Sequence, residues 1–144
     1  MWKYEAVNNW GTISLHDCRI TEITEIEKDI VFAFSDGYWI IETNTQNPYK
    51  KTLGTNSSSL TLTNAKCEKV EIDNKAITWS EFCLKVNVDK WEFECITESY
   101  SNNKCTYEGW IWFDNKPYHL DCCLEFSIDR VIYNWNEIME DRPW

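Results

Sequence analysis

Tyr118-His119-Leu120-Asp121-Cys122-Cys123-Leu124-Glu125-Phe126-Ser127-Ile128 decides the fold. Tyr118, Leu120, Cys122, Leu124, Phe126 and Ile128 alternate with His119, Asp121, Cys123, Glu125 and Ser127. A period of two puts one set on each face of a pleated strand, here apolar inward and polar outward. Such one-sided alternation belongs to antiparallel sheets. Asp114-Asn115-Lys116-Pro117 precedes the run as a turn, and Tyr107–Phe113 before it is rich in aromatics. The two segments read as a hairpin.

The same logic extends along the chain. Ile30–Ser35 and Tyr38–Glu42 flank Asp36-Gly37, whose glycine accepts the positive φ of a tight hairpin turn. Ser59–Thr63 and Cys67–Ile72 flank Asn64-Ala65-Lys66, and Trp79–Val88 and Trp91–Thr97 flank Asp89-Lys90. Ser101-Asn102-Asn103 turns the chain into Cys105–Trp110. Thr12–Ile26 reads as one strand with a bulge, because Cys18 and Ile20 are out of phase with Ile23. Together these predict one mainly β domain over residues 1–144. The expected architecture is an antiparallel β-sandwich or flattened barrel of about nine or ten strands. Ile132, Trp135, Ile138 and Met139 also fit a short C-terminal helix around Trp135–Asp141, with a strand as the competing reading. The polar stretch Thr43–Ser58, with Pro48, Lys50-Lys51 and Gly54, reads as a long loop.

Composition limits the function. Nine Trp, seven Tyr and six Phe supply a core without disulfides or metal. Fourteen basic residues face 24 acidic ones, a net charge of −10. Up to Ile72 there are 7 basic and 10 acidic residues, and after it 7 and 14, so the excess grows from −3 to −7. Nucleic-acid binding needs a basic face, so that class is set aside. An acidic surface steers basic partners instead. The seven cysteines are scattered, as free thiols of a reducing compartment are. Met1-Trp2-Lys3-Tyr4-Glu5 is polar and no apolar run has membrane-spanning length, so the expectation is a cytoplasmic protein without a membrane partner.

Three constellations carry candidate chemistry. His16-Asp17-Cys18 and His119-Leu120-Asp121-Cys122-Cys123 each place a histidine near a thiol and a carboxylate. If their strands were neighbours, His16, Cys18, His119 and either Asp121 or Cys123 would offer a tetrahedral zinc set. Neither cluster has the tight-turn spacing of structural zinc sites. A Cys–His nucleophile lacks any glycine-rich turn or following helix to form an oxyanion hole. Glu92, Glu94, Glu98 and Glu108 near aromatics leave paired-carboxylate chemistry open, though acids are abundant. Trp110 and Trp112 share a strand face and read as core or as a sugar-stacking platform. Phosphate and dinucleotide glycine loops are absent, and no cofactor is expected.

Leu15-His16-Asp17-Cys18-Arg19-Ile20, followed by Ile30-Val31-Phe32-Ala33-Phe34-Ser35-Asp36-Gly37-Tyr38-Trp39-Ile40, resembles small, uncharacterised bacterial all-β proteins. Some proteins of that kind act as immunity proteins that neutralise toxins by direct binding. The resemblance implies a cytosolic binding protein and transfers no catalytic residues. The favoured expectation is thus a non-enzymatic interaction protein for a basic partner such as a toxin domain. Glu92, Glu94, Glu137, Glu140, Asp141 and Tyr49 are its candidate contacts, chosen for charge and exposure. A small-ligand or carbohydrate binder is the alternative. A zinc-dependent protein using His16, Cys18, His119 and Asp121 comes third.

Overall fold

The computed structural model describes residues 1–144. In chain order its elements begin β1 (Tyr4–Val7), β2 (Ile13–Ser14), β3 (Cys18–Ile20), β4 (Glu22–Ile26), β5 (Asp29–Phe34) and β6 (Trp39–Ile40). They continue β7 (Leu53–Thr55), β8 (Ser58–Leu62), β9 (Lys66–Ile72), β10 (Lys75–Ala76) and the helix α1 (Trp79–Asn87). The last are β11 (Glu92–Ser101), β12 (Lys104–Trp112), β13 (His119–Ser127), β14 (Val131–Trp135) and β15 (Ile138–Pro143). Every pairing is antiparallel.

The strands form three sheets, ordered β1-β14-β8-β5-β4, β10-β9-β13-β12-β11-β3 and β15-β7-β6-β2, and none closes into a barrel. The five- and six-stranded sheets pack face to face. Phe32 of β5 meets Tyr107 of β12 and Phe126 of β13 edge-on, with ring centroids 6.5 and 5.8 Å apart. Residues of the third sheet, including Ile13, Ile40, Leu53 and Ile138, join the same core. The mainly β antiparallel expectation therefore holds, in its sandwich form.

The longest hairpins are the ones legible in sequence. β12 and β13 pair from Lys104↔Ser127 to Trp112↔His119, and β11 and β12 pair across Ser101-Asn102-Asn103. In β13, Cys122, Leu124 and Phe126 are buried and alternate with partly exposed neighbours.

Several expectations need correction. Trp79–Val88 is mostly helix, not strand. Phe82, Leu84, Val86 and Val88 mimic strand alternation, but only Phe82 and Val86, four apart, are buried, while Leu84 and Val88 are 58% and 65% exposed. Thr78 caps this helix, its hydroxyl accepting the Glu81 N–H at 3.1 Å. Conversely, no C-terminal helix forms at Trp135–Asp141. Val131, Tyr133 and Trp135 are buried at a period of two, in a strand held between β1 and β8.

Asp36-Gly37 is a turn, with φ +74° at Gly37, but no hairpin follows it. β5 pairs with β4 and β8, whereas β6 pairs with β2 and β7. Buried Tyr38 explains the departure. Its hydroxyl donates to the carbonyls of Ser59 and Asn134 in the five-stranded sheet while the backbone passes on to the four-stranded one. Ser59–Thr63 and Cys67–Ile72 likewise fall in different sheets, as β8 and β9. Thr12–Ile26 is three strands in three sheets. The phase change read as a bulge, between Ile20 and Ile23, is the crossing at Thr21 from β3 in the six-stranded sheet to β4 in the five-stranded one. The Thr43–Ser58 loop contains β7 and is tied down by buried Asn47, whose Nδ2 donates to the carbonyls of Ile40, Ile41 and Lys51. These short two- and three-residue strands lift the count to fifteen.

Candidate functional site

One face of the six-stranded sheet lies on the core; the other has no layer over it. The outward residues follow from register. Arg19 lies opposite Glu94, Glu92 opposite Trp112, Trp112 opposite His119, and Trp110 opposite Asp121. Glu108 lies opposite Cys123, and Cys123 opposite Glu71. None of these side chains is buried, which is what an open sheet face looks like. Trp110 and Trp112 are therefore surface residues, not a core sandwiched between two layers. Ile111, pointing the other way, is fully buried.

An aromatic cluster runs across this face. Trp112 and His119 have ring centroids 4.6 Å apart, and Trp110 and His119 5.2 Å. The two indoles are nearly perpendicular, at 84°, so they offer no flat shelf. The Arg19 guanidinium lies 4.6 Å from the Trp112 ring centroid. Arg19 Nε donates to Glu94 at 3.3 Å and Nη1 to Glu92 at 3.2 Å. Trp112 Nε1 also donates to Glu94, at 3.0 Å.

Beside this filled half lies a recess of about 410 Å³, lined among others by Trp110, Glu108, Asp121, Glu71, Thr97 and Gly109. Gly109 is required there. A side chain at this position would run into the Glu94 carbonyl oxygen, where β11 bulges between Cys95 and Thr97. Glu71 is paired with Lys69 at 3.2 Å, whereas the carboxylates of Glu108 and Asp121 have no ion-pair partner.

The six contacts chosen from sequence do not form one patch. Glu92 and Glu94 are on this face, but both hold Arg19, and Glu94 is only 12% exposed. Glu137 precedes β15, and Glu140 and Asp141 lie within it, exposed, on the four-stranded sheet. Tyr49 is exposed in the loop between β6 and β7. In the sequence, Glu108 and Asp121 stand out only for other chemistry, and Glu71 not at all. Carrying the β12–β13 alternation through the Asp114–Pro117 turn would have set Glu108, Trp110, Asp121 and Cys123 on one face.

The zinc set does not assemble. β3 is separated from β13 by β11 and β12, three strand spacings or roughly 14 Å. His16 precedes β3, with its Nδ1 2.8 Å from the Ile96 carbonyl oxygen, while Cys18 is buried. His119 instead packs between Trp110 and Trp112. No group of three or more His, Cys, Asp or Glu side chains is gathered for a metal ion. Burial pushes the thiols up, Cys67 to about 11 and Cys18, Cys83 and Cys105 to about 12. Cys95, Cys122 and Cys123 are raised for the same first reason. These are not the environments that hold a reactive thiolate. Glu98 turns inward, its Oε2 accepting the Leu15 N–H at 2.7 Å and its Oε1 the Tyr100 hydroxyl at 2.6 Å.

No protein-family model, curated protein or solved structure matches the chain. Its chemistry must be read from its own residues. No helix is long and apolar enough to cross a membrane.

Proposed function

We propose that this chain is a non-enzymatic binding protein that engages a basic protein through the open face of its six-stranded sheet. Neutralisation of a toxin domain by direct contact, as in immunity proteins, is the biological form this reading takes. The observation that carries it is a face with partly exposed tryptophans at its centre and carboxylates without counter-charges beside them. Partly exposed aromatic anchors ringed by polar groups are the usual anatomy of a protein interface. The net charge of −10 favours encounter with a basic partner. A sugar platform is less well supported, because the perpendicular indoles present no flat surface to a pyranose ring. The cytoplasm is the compartment this reading assigns, consistent with seven unpaired thiols.

The test is calorimetric titration of the chain with the product of the gene encoded immediately beside its own. The expected result is a one-to-one complex that weakens as sodium chloride rises from about 0.05 to about 0.5 M, where the screening length shrinks several-fold. No complex, or one indifferent to salt, would overturn the reading.

A further inference from the structure

The open face twice sets an indole among carboxylates, in different registers. In the first half, Trp112 is flanked by Glu92 and Glu94, and the chain fills the space with its own Arg19. That guanidinium lies 4.6 Å from the indole centroid while its nitrogens reach both carboxylates. In the second half, Trp110 stands between Asp121 on β13 and Glu94 on β11, the latter already held by Arg19, with Glu108 two residues before it on the same strand face. Glu71 closes the far side of the recess. No cation of the chain is paired with Glu108 or Asp121; Lys69 is held by Glu71, and Lys104 by Glu125.

The empty half therefore has the components of the filled one, an indole and two carboxylates, but lacks the arginine. A guanidinium suits it better than an ammonium. Its plane stacks on an indole while its edge donates to carboxylates, and it is the more weakly hydrated cation. Glu108 and Asp121 are diagonal neighbours across the β12–β13 pair, within the span of long side chains. We propose that the Trp110 half is a seat for an arginine side chain of the partner protein, held as Arg19 is held on Trp112. This rests on the protein-binding reading above and names the chemistry by which the face would recognise its partner.

The experiment uses the full chain, ¹⁵N-labelled, titrated with N-acetyl-arginine methylamide. The Trp110 indole N–H is followed after assignment with W110F. A saturable shift is expected at Trp110, with little change at Trp112, whose indole already donates to Glu94. N-acetyl-lysine methylamide should bind at least about threefold more weakly. E108Q/D121N should weaken arginine binding about tenfold or more. E22Q/E25Q makes the same charge change on exposed positions of β4 in the other large sheet and should leave binding intact. Neither carboxylate has an ion pair to lose, so E108Q/D121N should unfold no earlier than the wild type. The single variants E108Q and D121N carry the same test should the double variant fold poorly.

Equal binding to E108Q/D121N, or equal losses in E22Q/E25Q, overturns the seat. A complex with the adjacent gene product that E108Q/D121N does not weaken also overturns the seat, while leaving the protein-binding reading standing. Site-specific arginine binding without any such complex supports the seat and counts against that reading instead.

Discussion

Glu98 shows how one side chain can tie the core to solution conditions. It hangs inward from β11 between the Leu15 N–H and the Tyr100 hydroxyl, which in turn accepts from Tyr133 at 3.4 Å. Burial raises its pKa more than these hydrogen bonds and His16 lower it. A raised folded-state value means that the unfolded chain ionises first as pH climbs. The contribution of Glu98 to stability is therefore full below the ordinary glutamate pKa of about 4.3 and is lost as pH rises through the higher folded value. E98Q should remove that loss. Urea unfolding at a series of pH values should show the wild type declining relative to E98Q across this window, and parallel profiles would refute it. The inward turn of Glu98 was not visible in sequence. The bulge between Cys95 and Thr97 shifts the phase of β11, so Glu98 falls on the face opposite from Glu92 and Glu94.

At the scale of elements, α1 is the place where two periodicities competed. Thr78-Trp79-Ser80-Glu81 has the Thr-x-x-Glu spacing that opens helices, and the hydroxyl of Thr78 also donates to the Glu81 carboxylate at 3.2 Å. That local signal outweighs the apparent alternation that follows. The helix then buries Phe82 and Val86, and Trp79 stacks on Phe82 with ring centroids 5.8 Å apart while its edge meets Phe126. T78A should cost about 1 kcal/mol of stability, and T78S should restore most of it. Equilibrium unfolding of the three proteins decides this; T78A as stable as the wild type would mean that packing alone holds the helix. The β12–β13 hairpin was legible because its two strands are adjacent in both sequence and space. The partner across the Asp36-Gly37 turn was not, because its residues specify a reversal of direction without specifying which strand is met next.

At the scale of the whole molecule, charge works against compactness. Ten net negative charges are spread over one small domain, and the carboxylates of the open face include two without counter-charges. Screening should therefore stabilise the free protein. Raising sodium chloride from about 0.05 to about 0.5 M should lift the thermal midpoint by about 2–4 °C, the shift that ~1 kcal/mol produces in a domain of this size. A midpoint indifferent to salt would show that the local pairs Arg19–Glu92, Arg19–Glu94, Lys69–Glu71 and Lys104–Glu125 already balance the field. The same salt should weaken a basic partner's binding while it strengthens the fold, so the two effects separate stability from recognition.

The residues of His119–Ser127 determined their own conformation and the side of the sheet each would face, because alternation is a local property of the pleat. The same holds for the turn at Ser101-Asn102-Asn103 and for the overall acidity. Tyr118, expected inward, instead ends the preceding turn at φ +73° and is exposed. Which strands become neighbours depended on tertiary packing. β8 and β9 follow each other in the chain and join different sheets, whereas Arg19 of β3 comes to lie on Trp112 of β12 only because β11 brings both to one face. The candidate site is of this second kind. Carboxylates are common in the chain, and only the packed structure decides which of them meet a cation and which are left without one.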